Sequence, residues 1–286
     1  MDFSLWKDAA TVATKAIQSG ALQSLDTSLT SVSDAHLSFH IHQLSYLAKK
    51  PTSSKGKHPI SNPFLPHDPA LYIGDIGSKH KCLLNKYNVL DDHLLLVTKA
   101  FEEQQSVLTL DDFSALQLCM SEGPALAFYN SGAKAGASQQ HKHIQLIQLP
   151  KAVEQLIPFA PEFKDLHDEV PRTLPSLPFQ HAAIALPSKL FTHDKNQHQD
   201  AAIQLKHLYD RLRMTLGIEV KGDQIEKAYN LLLTQEWMLL VPRTRECFAD
   251  ISLNSLAFCG SILVKDEKQA QHIIHAGLAN ALHEVS

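Results

Sequence analysis

With 286 residues, 44% of them apolar and 20% charged, the chain is long enough for one large or two fused domains and too apolar for wholesale disorder. Twenty-six basic against thirty acidic side chains give a net charge of −4, the wrong sign for a chain whose main partner is a nucleic acid or an anionic membrane. Four cysteines, Cys82, Cys119, Cys247 and Cys259, form no C-x-x-C pair, which excludes a small disulfide scaffold and points to a reducing compartment.

The chain starts Met1-Asp2-Phe3 with Asp8 close behind. This is not the basic, then apolar, pattern of a signal peptide, and no run approaches the ~18 apolar residues of a membrane span. The expectation is a cytoplasmic protein that works on small molecules, with no membrane or nucleic-acid partner and a monomer as the simplest state.

Residues 5–19 carry Trp6, Ala9, Ala13, Ala16 and Ile17 on one stripe, which predicts an amphipathic helix over a sheet, stopped by Gly20. Residues 49–69 hold Pro51, Pro63, Pro66 and Pro69 and read as a loop excursion. Short apolar runs at 71–73, 82–87 and 93–98 predict strands, the last two joined as a hairpin. Asp111 or Asp112 predicts a helix start, and Phe113, Leu116, Cys119 and Met120 continue it towards Gly123. Strands are predicted at 126–130 and 141–148, with a loop of small residues between them.

The proline-rich stretch 151–180 predicts a linker or wrapping segment between a first half, 1–150, and a second, 181–286. In the second half, helical patterns at 200–216 and 267–283 flank 227–242 (KAYNLLLTQEWMLLVP). That segment repeats the strand, polar turn and strand of 81–98 (KCLLNKYNVLDDHLLLVT). The predicted fold class is α+β: a module duplicated within one chain, an antiparallel sheet flanked by helices.

Chemistry concentrates at 128–148 (FYNSGAKAGASQQHKHIQLIQ). On a strand, His141, His143, Gln145 and Ile147 share one face, while Ile144 and Leu146 supply an apolar face that fixes the register. Ser131 to Ser138 contains two glycines and three alanines, so its backbone amides can approach a phosphate closely. No G-K-[ST] closes the loop, so it is neither a Walker loop nor a dinucleotide fingerprint.

A neutral imidazole attacks phosphorus through one nitrogen when the proton on the other is held, and His143, flanked along the row, is the best-held candidate. Gln145 donates hydrogen bonds to phosphoryl oxygens but supplies no proton, which favours a leaving group that is itself a stable anion, such as a nucleotide polyphosphate. Two histidines on a surface strand, or an H-x-H zinc pair, are the rival readings. Gln145 is a poor third ligand for zinc, and no H-E-x-x-H or paired cysteines complete a site, so no protein-bound metal is expected. His40-Ile41-His42 repeats the spacing without the small loop or the glutamine and reads as an ordinary segment. His93 and the other histidines receive no role.

The H-K-H-I-Q stretch after a small-residue loop resembles the transferase branch of the histidine-triad superfamily, in which glutamine stands at the third triad position. The similarity is strongest to the diadenosine tetraphosphate phosphorylases (ATP adenylyltransferases). It is carried by LAKKP at 47–51, NPFLP at 62–66, LLNKYNV at 83–89, HLLLVT at 93–98, FYNSG at 128–132 and GASQQHKHIQ at 136–145. YNLLLTQEWMLLVPR at 229–243 and NSLAFCGSILVK at 254–265 extend it through the second half.

The resemblance implies a duplicated histidine-triad-like module. Its reaction would be reversible phosphorolysis of diadenosine tetraphosphate, with phosphate, to ATP and ADP; phosphorolysis of adenylyl sulfate and other nucleotidyl transfer are the alternatives, and a nucleotide sensor without turnover is the non-enzymatic one. It also implies roles: His143 as the nucleophile, Gln145 and His141 beside it, and Asn130, Gly136, Ala137, Ser138 and Gln139 at the nucleotide and its α-phosphate. Lys50, Asn85 and Lys86 in the first half, and Asn254, Ser255, Leu256 and Lys265 in the second, are implied to bind substrate. Ser261 stands where methionine is expected and alters one subsite. No tightly held cofactor is implied, with Mg2+ accompanying the nucleotide.

Overall fold

Strand after strand of the apolar runs joins one eight-stranded antiparallel sheet in a computed structural model that describes residues 4–45, 62–192, 194 and 196–286. Helix α1 (Leu5–Ser19) precedes a hairpin of β1 (Thr27–Asp34) and β2 (Leu37–Leu44). Strands β3 (Tyr72–Ile76), β4 (His80–Leu84) and β5 (Leu94–Thr98) follow, then helix α2 (Leu110–Met120) and strands β6 (Ala125–Asn130) and β7 (His143–Gln148).

The second half brings strand β8 (Ala182–Ala185), helix α3 (His198–Thr215) and a ribbon of β9 (Val220–Lys221) with β10 (Gln224–Ile225). Then come the hairpin β11 (Tyr229–Leu233) and β12 (Trp237–Pro242), a ribbon of β13 (Cys247–Phe248) with β14 (Ile251–Ser252), and strand β15 (Ser261–Val264). Helices α4 (Glu267–Ala276) and α5 (Leu278–Val285) end the chain.

The large sheet runs β3-β4-β5-β7-β6-β11-β12-β8. Alternation divides its side chains between two cores. Leu96, Ile144, Leu146, Tyr229, Met238 and Leu240 meet α1, α2 and α3 on one face. Phe128, Ile147, Leu232, Trp237, Leu239 and Val241 meet a second layer on the other, built from β2, β15, the 151–180 segment and the C-terminal helices. In that layer β15 lies parallel to β2, which in turn pairs antiparallel with β1.

Duplication is visible in the topology, with a different correspondence from the one the sequence suggests. The order β5-α2-β6-β7 recurs as β8-α3-β11-β12, and the two units meet edge to edge through the β6–β11 pair. Residues 227–242 therefore take the place of β6 and β7. The apparent match to 81–98 arises because any two buried antiparallel strands carry similar apolar runs.

Other expectations shift at element ends. The helix after residue 108 is capped by Thr109 in a capping box with Asp112, not by Asp111 or Asp112 as the N-cap. Strand β7 begins at His143, and His141 forms only a single bridge to Glu103. The C-terminal helix is broken at Gly277, whose φ is +88°. Gly20 stops α1 in the left-handed conformation as expected, but Ile17 lies outside the buried stripe at 58% exposure.

The hairpin β1–β2 was not foreseen. Its first strand is largely exposed, and its polar alternation resembles loop composition. The 151–180 segment packs inward through Leu156, Ile157, Phe159, Phe163, Leu174, Leu177 and Phe179. No helix among the described residues is long and apolar enough to cross a membrane.

Candidate active site

Strand β7 is seated by its apolar face, and it is also pinned from behind. Lys142, just before the strand, is buried against Asp112 (2.7 Å) and Glu102 (3.1 Å). His80 shares the same Asp112 carboxylate at 2.8 Å. Burial alone would raise the Asp112 pKa, but the His80 hydrogen bond and the Lys142 charge hold it down to about 2. With the strand fixed, His143 and Gln145 point away from the helices into a cavity of about 410 Å³.

His143 has one prepared nitrogen. Its Nδ1–H donates to the main-chain oxygen of His141 at 2.8 Å, which selects the tautomer with the lone pair on Nε2. The His143 amide donates to Gln104 Oε1 (2.8 Å), and Gln104 Nε2 donates to the carbonyls of Asn130 (2.8 Å) and His143 (3.2 Å). Burial lowers the His143 pKa to about 4, against the pull of the His141 carbonyl, so the ring is neutral at physiological pH.

His141 serves differently. Its ring turns behind the wall, where Nε2–H donates to the oxygens of Thr98 (2.9 Å) and Ala100 (3.1 Å) and Nδ1 accepts from Asn62 Nδ2 (3.0 Å). Its contribution to His143 is the carbonyl.

Two carboxamides face the same space, each with its oxygen tied down by the protein. Gln145 Oε1 accepts from His93 Nε2 at 2.9 Å, and His93 Nδ1 accepts from Asn85 Nδ2 at 3.2 Å. Burial lowers the His93 pKa to about 4, so the relay uses a neutral ring. Asn130 Oδ1 accepts from Asn230 Nδ2 (2.8 Å), Ser255 N (3.0 Å) and Ser255 Oγ (2.6 Å). In both residues the amide group is left as the donor for a ligand.

The loop after β6 completes the polar end. Gly132 and Gly136 both have φ +87°, and a Cβ on Gly136 would lie 3.0 Å from Asn254 Cβ and 3.2 Å from Leu253 O. Only glycine lets residues 136–139 close against the second half. Opposite, Phe64, Leu83 and Leu95 form an apolar wall, and the Phe64 ring stands 5.4 Å from the His143 ring. Among the described residues Lys86 is the one basic side chain in the lining. Asp68 is the one carboxylate, and it accepts the Ala70 amide at 3.0 Å. One apolar end, one polar end and a neutral nucleophile between them suit a nucleotide better than a metal. No cluster of three metal-ligating side chains occurs among the described residues.

Family models match most of the chain: an Ap4A phosphorylase N-terminal domain over residues 2–165 and an ATP adenylyltransferase C-terminal domain over residues 175–286. The chain belongs to the Ap4A phosphorylase family. Diadenosine 5',5'''-P1,P4-tetraphosphate phosphorylase 2 of Saccharomyces cerevisiae is 31% identical over 249 residues, covering 79% of this chain and 74% of that protein. Protein APA1 of the same yeast is 29% identical, covering 88% and 84%. Among solved structures, yeast Ap4A phosphorylase Apa2 superposes with a TM-score of 0.77 at 25% identity, over 99% of this chain and 94% of that one. Its complex with AMP gives 0.76 at 27% identity, over 98% and 95%. The chain is thus a nucleotidyltransferase on a duplicated α+β fold.

Of the positions expected from the resemblance to the Ap4A phosphorylase family, most line the one cavity: His143, Gln145, Asn85, Lys86, Asn130, Gly136, Ala137, Ser138, Gln139, Asn254, Leu256 and Ser261. Ser255 and His141 lie behind it as supports. Lys265 is exposed, one residue beyond β15, and is not part of the lining. Lys50 lies outside the described residues, as does the whole LAKKP motif.

Sequence reasoning missed His93, Gln104, Asn62 and His42. His42, which the sequence places in an ordinary segment, lines the cavity beside Leu263, its partner in the β2–β15 register. Only that strand pairing, across more than two hundred residues, brings it there. For His93 a signal existed: it immediately precedes β5, and Leu95 pairs with Gln145.

Proposed function

We propose that the chain phosphorolyses diadenosine tetraphosphate in two displacements through His143. In the first, Nε2 attacks the α-phosphorus of a bound dinucleotide, the bond from that phosphorus to the bridging oxygen breaks, and ATP leaves as an anion without needing a proton. The Nδ1 proton stays on the ring, held by the His141 carbonyl. In the second, an oxygen of inorganic phosphate attacks the adenylyl phosphorus, the N–P bond breaks, and ADP leaves with the lone pair restored to Nε2. The amide groups of Gln145 and Asn130 are poised to donate to the non-bridging oxygens as charge builds on them.

The observation that carries this reading is the neutral His143 ring, with one nitrogen anchored at 2.8 Å and the other open to the cavity. The Phe64, Leu83 and Leu95 wall suits the adenine, and the small loop at 136–139 suits phosphate oxygens. Magnesium, in this reading, is carried in by the polyphosphate.

The test is a trapping experiment. Ap4A labelled in its α-phosphates should leave an acid-labile adenylyl group on the wild-type protein as ATP departs, and added phosphate should discharge it as ADP. Binding of Ap4A with no covalent label would identify a sensor instead. Label that persists in His143→Gly would move the chemistry elsewhere.

A further inference from the structure

Arg243 follows the last residue of β12 and is 4% exposed. It makes no salt bridge among the described residues. The neighbouring Glu246 carboxylate instead accepts from Ser252 Oγ at 2.5 Å. Burial lowers the guanidinium pKa to about 10 against the pull of the Glu246 carboxylate, so it is still charged at neutral pH.

Four of its hydrogen bonds go to main-chain oxygens: Val285 (3.1 Å), Leu253 (2.7 Å), Arg245 (2.8 Å) and Glu246 (3.1 Å). Its Cζ lies over the Phe258 ring, 5.0 Å from the centroid. A fifth bond, from Nη1 to Asn230 Oδ1 at 2.5 Å, leads towards the cavity. Burying a cation with no carboxylate in direct contact is costly, and a carbonyl latch alone has no need of that fifth bond.

We propose that Arg243, acting through Asn230, is a positioning residue for the nucleotide: it keeps the Asn130 amide group turned into the cavity, and a bound polyphosphate adds to the counter-charge that Glu246 supplies to the guanidinium from beyond contact distance. With its oxygen claimed by Arg243, Asn230 has only its amide to offer. That amide donates to Asn130 Oδ1 (2.8 Å) and to the Ala135 oxygen (2.9 Å). The first bond joins those from Ser255 in fixing which way Asn130 faces, and the second holds the start of the phosphate loop. Asn230 and Asn130 are directly opposite in the β6–β11 register, where the two units join. A buried asparagine pair at the centre of a sheet is expensive unless every polar atom is used. Here each is used except the Asn130 amide, which the ligand takes.

The proposal rests on nucleotide transfer at this cavity, so ATP binding and Ap4A turnover are read separately. Asn230→Asp puts a carboxylate between the guanidinium and Asn130. It neutralises Arg243 and draws the Asn130 amide away from the cavity. The expected result is ATP affinity weakened by about ten- to a hundredfold, a flatter dependence on salt, and a thermal midpoint no lower than the wild type's.

In an Asn130→Ala background the same substitution should cost little further affinity at high salt, because its target is gone. Unchanged ATP affinity in Asn230→Asp, or a full additive loss in the double variant, overturns the relay. If Asn230→Asp does not fold, Asn230→Ala replaces it, with about tenfold weaker ATP binding expected and equal binding overturning the idea. A wild-type protein that binds ATP but does not turn over Ap4A would refute the transfer reading and leave the binding test standing.

Discussion

The two strand–helix–strand–strand units share a scaffold and differ in what covers it. On β7 the face opposite the helices carries His143 and Gln145. On β12 the corresponding face carries Trp237, Leu239 and Val241. Residues 151–180 lie over the second unit, and Phe163 stacks on Trp237 with centroids 4.0 Å apart and planes 9° from parallel. Over the first unit the roof is β2, β15 and the 62–71 segment, which stand off far enough to leave the cavity. One unit thus spends its sheet face on packing, and the other keeps it for chemistry. The second half still contributes at the seam, where Asn254 lines the polar end and Asn230, bonded by Arg243, backs Asn130.

This contrast predicts opposite phenotypes for two substitutions on equivalent faces. His143→Ala should abolish transfer, lowering kcat by roughly 10⁴-fold or more because the covalent route is lost, while the thermal midpoint barely moves. Trp237→Ala should destabilise the fold by about 3–5 kcal/mol through the cavity left against Phe163. Protein that remains folded should keep near-normal kcat. Denaturant melts and steady-state rates on Ap4A separate them, and a Trp237→Ala enzyme with normal stability but no activity would break the division of labour.

The sequence makes this division half legible. The row of His141, His143 and Gln145 and the small-residue loop stand out because a strand's period of two and a glycine's freedom are local properties. The helices covering the first face are legible for the same reason. The roof is not. Whether β2 lies over β7 is decided by its parallel pairing with β15, from the other end of the chain, and no local pattern in His40-Ile41-His42 encodes that. Lys142 looks like a surface lysine between two histidines. Only the packing of α2 places Asp112 2.7 Å from its Nζ. The duplication is legible as an event and misleading in detail, since apolar content does not say which hairpin corresponds to which.

A smaller effect tests whether the open face is prearranged or merely open. His93 fixes the Gln145 oxygen at 2.9 Å and touches the cavity itself. His93→Phe keeps the ring's bulk beside Phe128 and removes the donor. With the carboxamide free to turn, kcat on Ap4A should fall about tenfold, the scale of one hydrogen bond to a charged group, with KM changed much less. His93→Gln, which restores an N–H donor, should recover part of the loss. A matching fall in stability for both variants, without that recovery, would make His93 a packing residue like its counterparts over the second unit.

The smallest effect is a near absence of one. An ordinary imidazole, with a pKa near 6.5, would lose about tenfold of its neutral form between pH 7.5 and 5.5. His143 at about 4 loses almost none. Ap4A carries only strongly acidic phosphate groups, so its own ionisation is constant over that range. At low substrate, kcat/KM for adenylylation reports the free enzyme, and it should stay within about twofold from pH 7.5 to 5.5 before falling as pH passes through 4.

Stability moves the other way round. The unfolded ring takes up a proton below 6.5 that the folded ring refuses until 4, so the folded state is progressively disfavoured as pH drops through that window. Replacing His143 by Ala should therefore shrink the acid-induced loss of stability between pH 6.5 and 4. An activity limb centred near 6.5 would show that water reaches this ring as freely as it reaches a surface histidine, and the difference between the open face and the packed one would then be of shape alone.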